Sequence, residues 1–375
     1  MRRCTFAKLA ELRKPLLINF PQRTYTPVLK RRHAQFSTMK TPTCNHLMET
    51  NELHDLIKNK REHLLFDASW YNIRQGEKDK NSVDDHDQAE KIEGSISFNS
   101  IVTSNENPNF SFFFPTQEEF FCNLRKLLVE SPADIKIKNT LENLPVIFYE
   151  RDEIFYAPRI WLMFKLHGFQ NVHILNGGLN KWLNEEREVM ATGGDAEGGG
   201  HLSQSNKIDQ VDKLIKEHVE KNKKGIREKW RSSIYHYEDI ENFIRGRKKQ
   251  SDDMSRFILV DTRPNSSFSA LLPINEKEKV HNFIPFSVNI PYHHFINSHD
   301  EKYKFFTFKN EAEIRKICDQ YDLLNEEKTV ISTCSKGISA CVLLFLLHQL
   351  NKPLHQLALY YGSFVDYKFR KYALQ

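Results

Sequence analysis

Apolar residues in this chain come in short unbroken runs, separated by longer stretches in which they recur every three or four positions. HLLFDASWY (63–71), PVIFYE (145–150) and VHIL (172–175) each hold a run of strand length, and ISFN (96–99) is a shorter one. The unbroken run in PVIFYE predicts a strand covered on both faces, and the others read as short strands. TQEEFFCNLRKLL (116–128) has helical spacing and a polar start, APRIWLMFKLHGF (157–169) reads as a helix closed near Gly168, and GGLNKWL (177–183) opens another. A similar order then returns. YHYEDIENFIRG (235–246) is helix-like, RFILVDTR (256–263) is a strand, and FSVNIPY (286–292) follows a polar loop. FKNEAEIRKICDQYDLL (308–324) is helical, TVISTC (329–334) a buried strand, ISACVLLFLLHQL (338–350) a helix, and LALYYGSFVDY (357–367) ends the pattern.

Strands alternating with helices predict parallel α/β units, and one order met twice predicts two domains of one kind. The expected boundaries are 45–190 and 226–375, with a linker over 191–225. Its start, ATGGDAEGGGHLSQSN (191–206), is Gly-rich and reads as flexible, and the basic stretch 207–231 reads as helical in part.

Composition narrows the class. The 375 residues suffice for two domains, and 39% hydrophobic with 27% charged residues fits a globular chain. A net charge of +5 argues for no nucleic-acid face. The apolar run Cys341–Leu347 is too short to span a bilayer and reads as a helix buried all round, so no membrane partner is expected. Cys4, Cys44, Cys122, Cys318, Cys334 and Cys341 form no C-x-x-C pair, which suits a reducing compartment rather than a disulfide or zinc scaffold. His293 and His294 lack neighbours at ligand spacing and read as a solvated loop; no metal or cofactor is expected. The first 40 residues hold ten Lys or Arg and one acid, Glu11. That is the composition of a mitochondrial transit segment, against the alternative of a basic tail. A shorter form starting at Met39 would lack it and stay in the cytoplasm.

The chemistry concentrates in CSKGISA (334–340), where a strand ends at Cys334 and a buried helix follows. In an open parallel sheet, ligands sit beyond such strand ends. A thiol near the unpaired N–H groups of a first helical turn ionises more readily. Lys336 adds a positive charge, and Gly337 lets the backbone curl around a central atom. A buried structural cysteine is the competing reading. A cysteine phosphatase would need C-x5-R to clamp phosphate, but the sixth residue after Cys334 is Ala340.

With these residues in place, the chain resembles the two-domain rhodanese family, the thiosulfate and 3-mercaptopyruvate sulfurtransferases. The likeness runs from about residue 50 to the end, apart from the linker. DASWY (67–71), YERDEIFYAPRIWLMFKLHGFQNVHILNGGLNKW (149–182), VDTR (260–263), IPFSVNIPY (284–292) and the loop from Cys334 carry it. The resemblance implies an α/β fold of two tandem rhodanese-like domains, each a mainly parallel sheet flanked by helices. It implies an inactive first domain, with Glu150 where the nucleophile would fall, and a catalytic second one. Cys334 would carry sulfur as a persulfide, taken from thiosulfate or 3-mercaptopyruvate and passed to a thiol or protein acceptor. Ser335, Lys336, Gly337, Ile338 and Ser339 would bind the substrate, with the hydroxyls of Ser335 and Ser339 donating to the sulfur. Asp261 and Arg263 would form an ion-paired support. Two family arginines are replaced by Ser267 and Glu276, and the G-H-I-P-G segment by NFIPF (282–286). A carboxylate clamp would then have to come from elsewhere, for instance Arg159. These departures leave open a sulfur-relay or binding protein with little small-donor activity; some eukaryotic relatives feed tRNA thiolation.

Overall fold

The computed structural model describes residues 45–69, 90–98, 114–130, 140–151, 153–190, 204–273 and 279–373. The basic N-terminal segment, Met39 and Glu276 lie outside the described residues.

In the first half β1 (Leu47–Met48), β2 (Leu64–Asp67), β3 (Ile96–Ser97), β4 (Val146–Tyr149) and β5 (Val172–Leu175) form a parallel sheet of order β1-β5-β4-β2-β3. The second half holds β6 (Ile234–Tyr235), β7 (Phe257–Asp261), β8 (Leu271–Pro273), β9 (Lys279–His281), β10 (Ser287–Asn289), β11 (Ile296–His299), β12 (Phe305–Phe308), β13 (Thr329–Thr333) and β14 (Leu357–Tyr360). Its five-stranded parallel sheet reads β6-β14-β13-β7-β10, with β8–β9 and β11–β12 as antiparallel hairpins. Numbered within each half, the two orders are the same. Strand β13 is therefore the counterpart of β4, so Cys334 and Glu150 follow equivalent strands.

Both central strands are buried along their whole length, β4 as an unbroken apolar run and β13 with Thr329, Ser332 and Thr333 among its apolar residues. The helices that follow them, Ala157–Leu166 and Ala340–Gln349, pack against one another and join the halves. Every residue of the first is buried, as is Ala340–Leu347 of the second. Trp161 meets Phe345 edge-on at 5.1 Å, inside one apolar cluster that runs through both halves. No helix among the described residues is long and apolar enough to cross a membrane.

The expected linker differs most from the structure. From Gln204 it is a continuous helix to Ser233, which runs past residue 225 into the second half. Val211, His218, Val219 and Ile226 recur at helical spacing and are buried, while the intervening charges face water. Asp212 pairs with Arg125 and Lys221 with Glu142 on the first half, and Ser233 Oγ donates to Leu354 O on the second at 3.1 Å. The charged composition that suggested a linker belongs to the outer face of this brace.

Histidines concentrate in and beside the seam. His46 stacks on His348 at 5.1 Å and lies 6.1 Å from His173. Burial, then the Lys165 charge, pushes His46 down to about 3 and His348 to about 4; the same two causes, with Asn45's carbonyl opposing, take His173 to about 4. Burial also takes His167 down to about 3. All four are neutral when folded at pH 6, whereas the unfolded chain titrates them near 6.5. Their stabilising effect is full above the unfolded value and is lost as pH falls toward the folded ones. Each costs about 1.4 kcal/mol per pH unit in that window. Glu150, which burial pushes up to about 8, offsets one of the four protons. The unfolding midpoint should hold between pH 8 and 7 and drop steeply from pH 6 to 4, less steeply in His348→Gln. A flat midpoint from pH 7 to 5 would show that these histidines are charged in the folded state.

Candidate active site

Strand β13 delivers Cys334 to the carboxyl edge of the second sheet, 3% exposed. The helix begins only at Ala340, so its first-turn amides are not what meets the sulfur. A loop amide does: Gly337 N donates to Cys334 Sγ at 3.1 Å. Gly337 has φ +81, a conformation strained for any residue with a Cβ, and an added Cβ would meet Tyr361 O at 3.3 Å. Its carbonyl accepts from Arg159 Nη1 at 3.2 Å and from Cys341 Sγ at 3.3 Å.

The other loop residues divide by exposure. Ser335 and Lys336 face solvent. Ile338 packs into the core and anchors the loop instead of lining its opening. Ser339 Oγ lies 3.1 Å from Thr262 Oγ1, which is itself 3.3 Å from Thr333 O. If Thr262 gives its one proton to that carbonyl, Ser339 donates to Thr262 and has none for the sulfur.

Beside Cys334, β7 ends in Asp261, in register with Thr333. Asp261 and Arg263 are both buried and bonded as a fork: Arg263 Nε reaches Oδ1 and Oδ2 at 3.0 Å, and Nη2 reaches Oδ2 at 2.6 Å. Nη2 also donates to Asn282 O at 2.6 Å, and the guanidinium carbon lies 4.2 Å over the Phe364 ring.

A third element holds the loop and was not foreseen. Phe364 N donates to Cys334 O at 2.9 Å, Val365 N to Ser335 O at 3.1 Å, and Cys334 N to Ser363 Oγ at 3.3 Å. Ser363 has φ +51. The first half repeats the arrangement, with Gly178 at φ +56 and Leu179 N donating to Glu150 O at 2.9 Å. The available signal was the pair of motifs NGGL and YGSF, each directly after the last strand of its half.

Glu150 itself is informative. Its carboxylate accepts from Phe155 N and Tyr156 N at 2.8 Å and Ala157 N at 3.0 Å. Those donors favour the charged form, while burial drives the carboxyl up to about 8. In the first half a side-chain carboxyl thus fills the cradle of amides that follows the central strand. Among the described residues, no group of three or more His, Cys, Asp or Glu is placed to hold a metal. His293 and His294 are exposed on the short 3-10 turn Tyr292–Phe295.

Comparison with known proteins agrees with this architecture. Residues 49–185 match the Rhodanese-like domain family. The chain is 23% identical over 334 residues to thiosulfate/3-mercaptopyruvate sulfurtransferase 1, mitochondrial, of Arabidopsis thaliana, covering 89% of this chain and 79% of that one. It is 24% identical over 307 residues to human 3-mercaptopyruvate sulfurtransferase, covering 82% and 85%. Among solved structures, the Tum1 protein of Saccharomyces cerevisiae superposes with a TM-score of 0.60 at 18% identity, covering 88% and 96%. SseA of Escherichia coli, described as a 3-mercaptopyruvate sulfotransferase, gives 0.57 at 19%, covering 85% and 98%. The fold is thus that of the tandem rhodaneses, two parallel α/β units in one chain. Residues 49–185 are a Rhodanese-like domain, and over most of its length the chain is similar to sulfurtransferases built of two such domains.

Proposed function

We propose that this protein moves a sulfane sulfur through a persulfide on Cys334, with thiosulfate or 3-mercaptopyruvate as donor. The observation that carries the reading is the Gly337 N–H aimed at Cys334 Sγ at the end of a buried strand. The thiolate attacks the outer sulfur of thiosulfate; the new S–S bond forms as the old one breaks, and sulfite leaves with the bonding pair. A thiol or protein nucleophile then takes the outer sulfur and releases the Cys334 thiolate. Intact mass after incubation with either donor should rise by about 32 Da, one sulfur, mapped to Cys334. No adduct from any donor would overturn the reading. We place the activity in mitochondria, in keeping with the basic first 40 residues and the name of the Arabidopsis relative.

Lys336 supplies the exposed cation of the loop. A single lysine attracts a compact dianion as a point charge but lacks the fork that fits a carboxylate. Thiosulfate should therefore exceed 3-mercaptopyruvate in kcat/KM. Because solvent screens an exposed charge, Lys336→Ala should lower thiosulfate kcat/KM by about tenfold, and 3-mercaptopyruvate use less. Equal losses for both donors would remove Lys336 from donor choice.

A second reading is a sulfur relay fed by a protein, with an acceptor leading toward tRNA thiolation. Ser267 favours it: where the family carries an arginine, this chain exposes a hydroxyl on the short helix Asn265–Phe268. Persulfide loading by a cysteine desulfurase, far faster than by either small donor, would select it.

A further inference from the structure

We infer that Arg159 is a positioning residue for the Cys334 loop, supplied by the first half of the chain to the site in the second. The inference rests on Cys334 being the sulfur carrier.

Arg159 is the third residue of the helix Ala157–Leu166 and is 1% exposed. A guanidinium so deeply buried is costly unless something answers its charge. Its hydrogen bond at the loop goes to a neutral carbonyl, Gly337 O, at 3.2 Å, and the Phe114 ring covers it at 4.2 Å. Burial pulls Arg159 below the usual guanidinium range, and Cys341, Tyr361, Cys334 and Tyr156 act against that, in this order. Each of these is a neutral group that gains negative charge on losing a proton. Cys341 is pushed up to about 12, chiefly by burial, and stays a thiol. Of the two sulfurs near this cation, Cys334 is the one whose turn as an anion belongs to the reaction.

Geometry adds a second role. Gly337 is the loop residue with the most backbone freedom, and its N–H is the one that meets Sγ. Two donors on its carbonyl, Arg159 Nη1 and Cys341 Sγ, fix the following peptide. With the carbonyl held, the N–H stays turned to the sulfur. Tyr361, whose OH donates to Phe114 O at 2.9 Å across the seam, holds the ring that stacks on Arg159. The loop is therefore organised from the opposite half. Glu150 leaves that half without a nucleophile, yet its helix serves the nucleophile of the other.

The test uses the full chain, with Arg159→Met and Arg159→Lys. The readout is the rate at which iodoacetamide, a neutral reagent needing no anion site, alkylates Cys334 at fixed pH, followed by peptide mass. Arg159→Met should react about tenfold more slowly, and Arg159→Lys, which keeps the charge but not the planar fork, should fall between it and wild type. Persulfide loading by thiosulfate should lose the same factor in kcat with KM within about twofold. A merely structural arginine would lower the unfolding midpoint and leave Cys334 alkylation unchanged or faster, and that result overturns the inference. Should Arg159→Met fail to fold, a wild-type rate in Arg159→Lys overturns it as well, and a slower rate supports it. If the wild type forms no persulfide, the reading of Cys334 as carrier fails, while alkylation still decides whether Arg159 organises the loop.

Discussion

Cys334→Ser is expected to remove sulfur transfer to below about one thousandth of the wild-type rate, because the reaction passes through a covalent sulfur on that atom. A serine oxygen is close in size to the thiol but a poor acceptor of sulfane sulfur, and its hydroxyl stays protonated where a thiol can ionise. The change should not disturb the fold. Cys334 hangs from backbone bonds that serine keeps: Phe364 N to its carbonyl, and its own N to Ser363 Oγ. The unfolding midpoint should therefore stay near wild type while the mass adduct disappears. The remaining described cysteines are poor substitutes. Cys318 and Cys341 are buried thiols pushed up to about 12, and Cys122 lies exposed on the helix Gln117–Glu130 of the first half. A full adduct in Cys334→Ser would mean that sulfur is carried elsewhere in the chain.

The strands and helices on which this expectation rests were legible because burial on both faces leaves a local trace. VIFY is apolar throughout as β4, TVIST mixes apolar and small hydroxyl residues as the buried β13, and the run ACVLLFLL reads as a helix with no wet side. Glu150 could be recognised for the same reason, since it follows its strand as Cys334 follows the other. What could not be read is what joins distant residues. Arg159 and Gly337 are 178 positions apart, and nothing local in APR or SKG announces their bond. Ser363 is hidden differently. Its left-handed backbone is more often a glycine's, as at Gly178 in the first half, so the second half lacks the glycine that would mark the turn. The helix Gln204–Ser233 was obscured by its composition, with Gly225 in its middle and lysines on its outer face. Its apolar stripe has meaning only once two sheets are there to receive it.

The other large effect expected is on stability. Arg263→Met should destabilise the second half by about 3–5 kcal/mol, the usual cost of leaving one member of a buried ion pair behind. Asp261 is 0% exposed, and three of its four bonds with Arg263 come from the guanidinium. Without that group, the carboxylate keeps Arg263 N, at 3.0 Å to Oδ1, and is otherwise buried unanswered. A whole domain is commonly stable by only about 5–15 kcal/mol, so the loss should be plain in urea melts. The damage should also reach the site. Arg263 ties Asn282 O, which closes the excursion containing Ser267, and packs over Phe364, whose N–H holds the Cys334 carbonyl. Arg263→Lys should recover only part, since an ammonium cannot span both carboxylate oxygens and Asn282 O in one plane. The double variant Asp261→Leu/Arg263→Met should be more stable than Arg263→Met alone, because it removes the stranded charge. If Arg263→Met costs under about 1 kcal/mol, water reaches Asp261, and the pair is not the buried support that its geometry makes it.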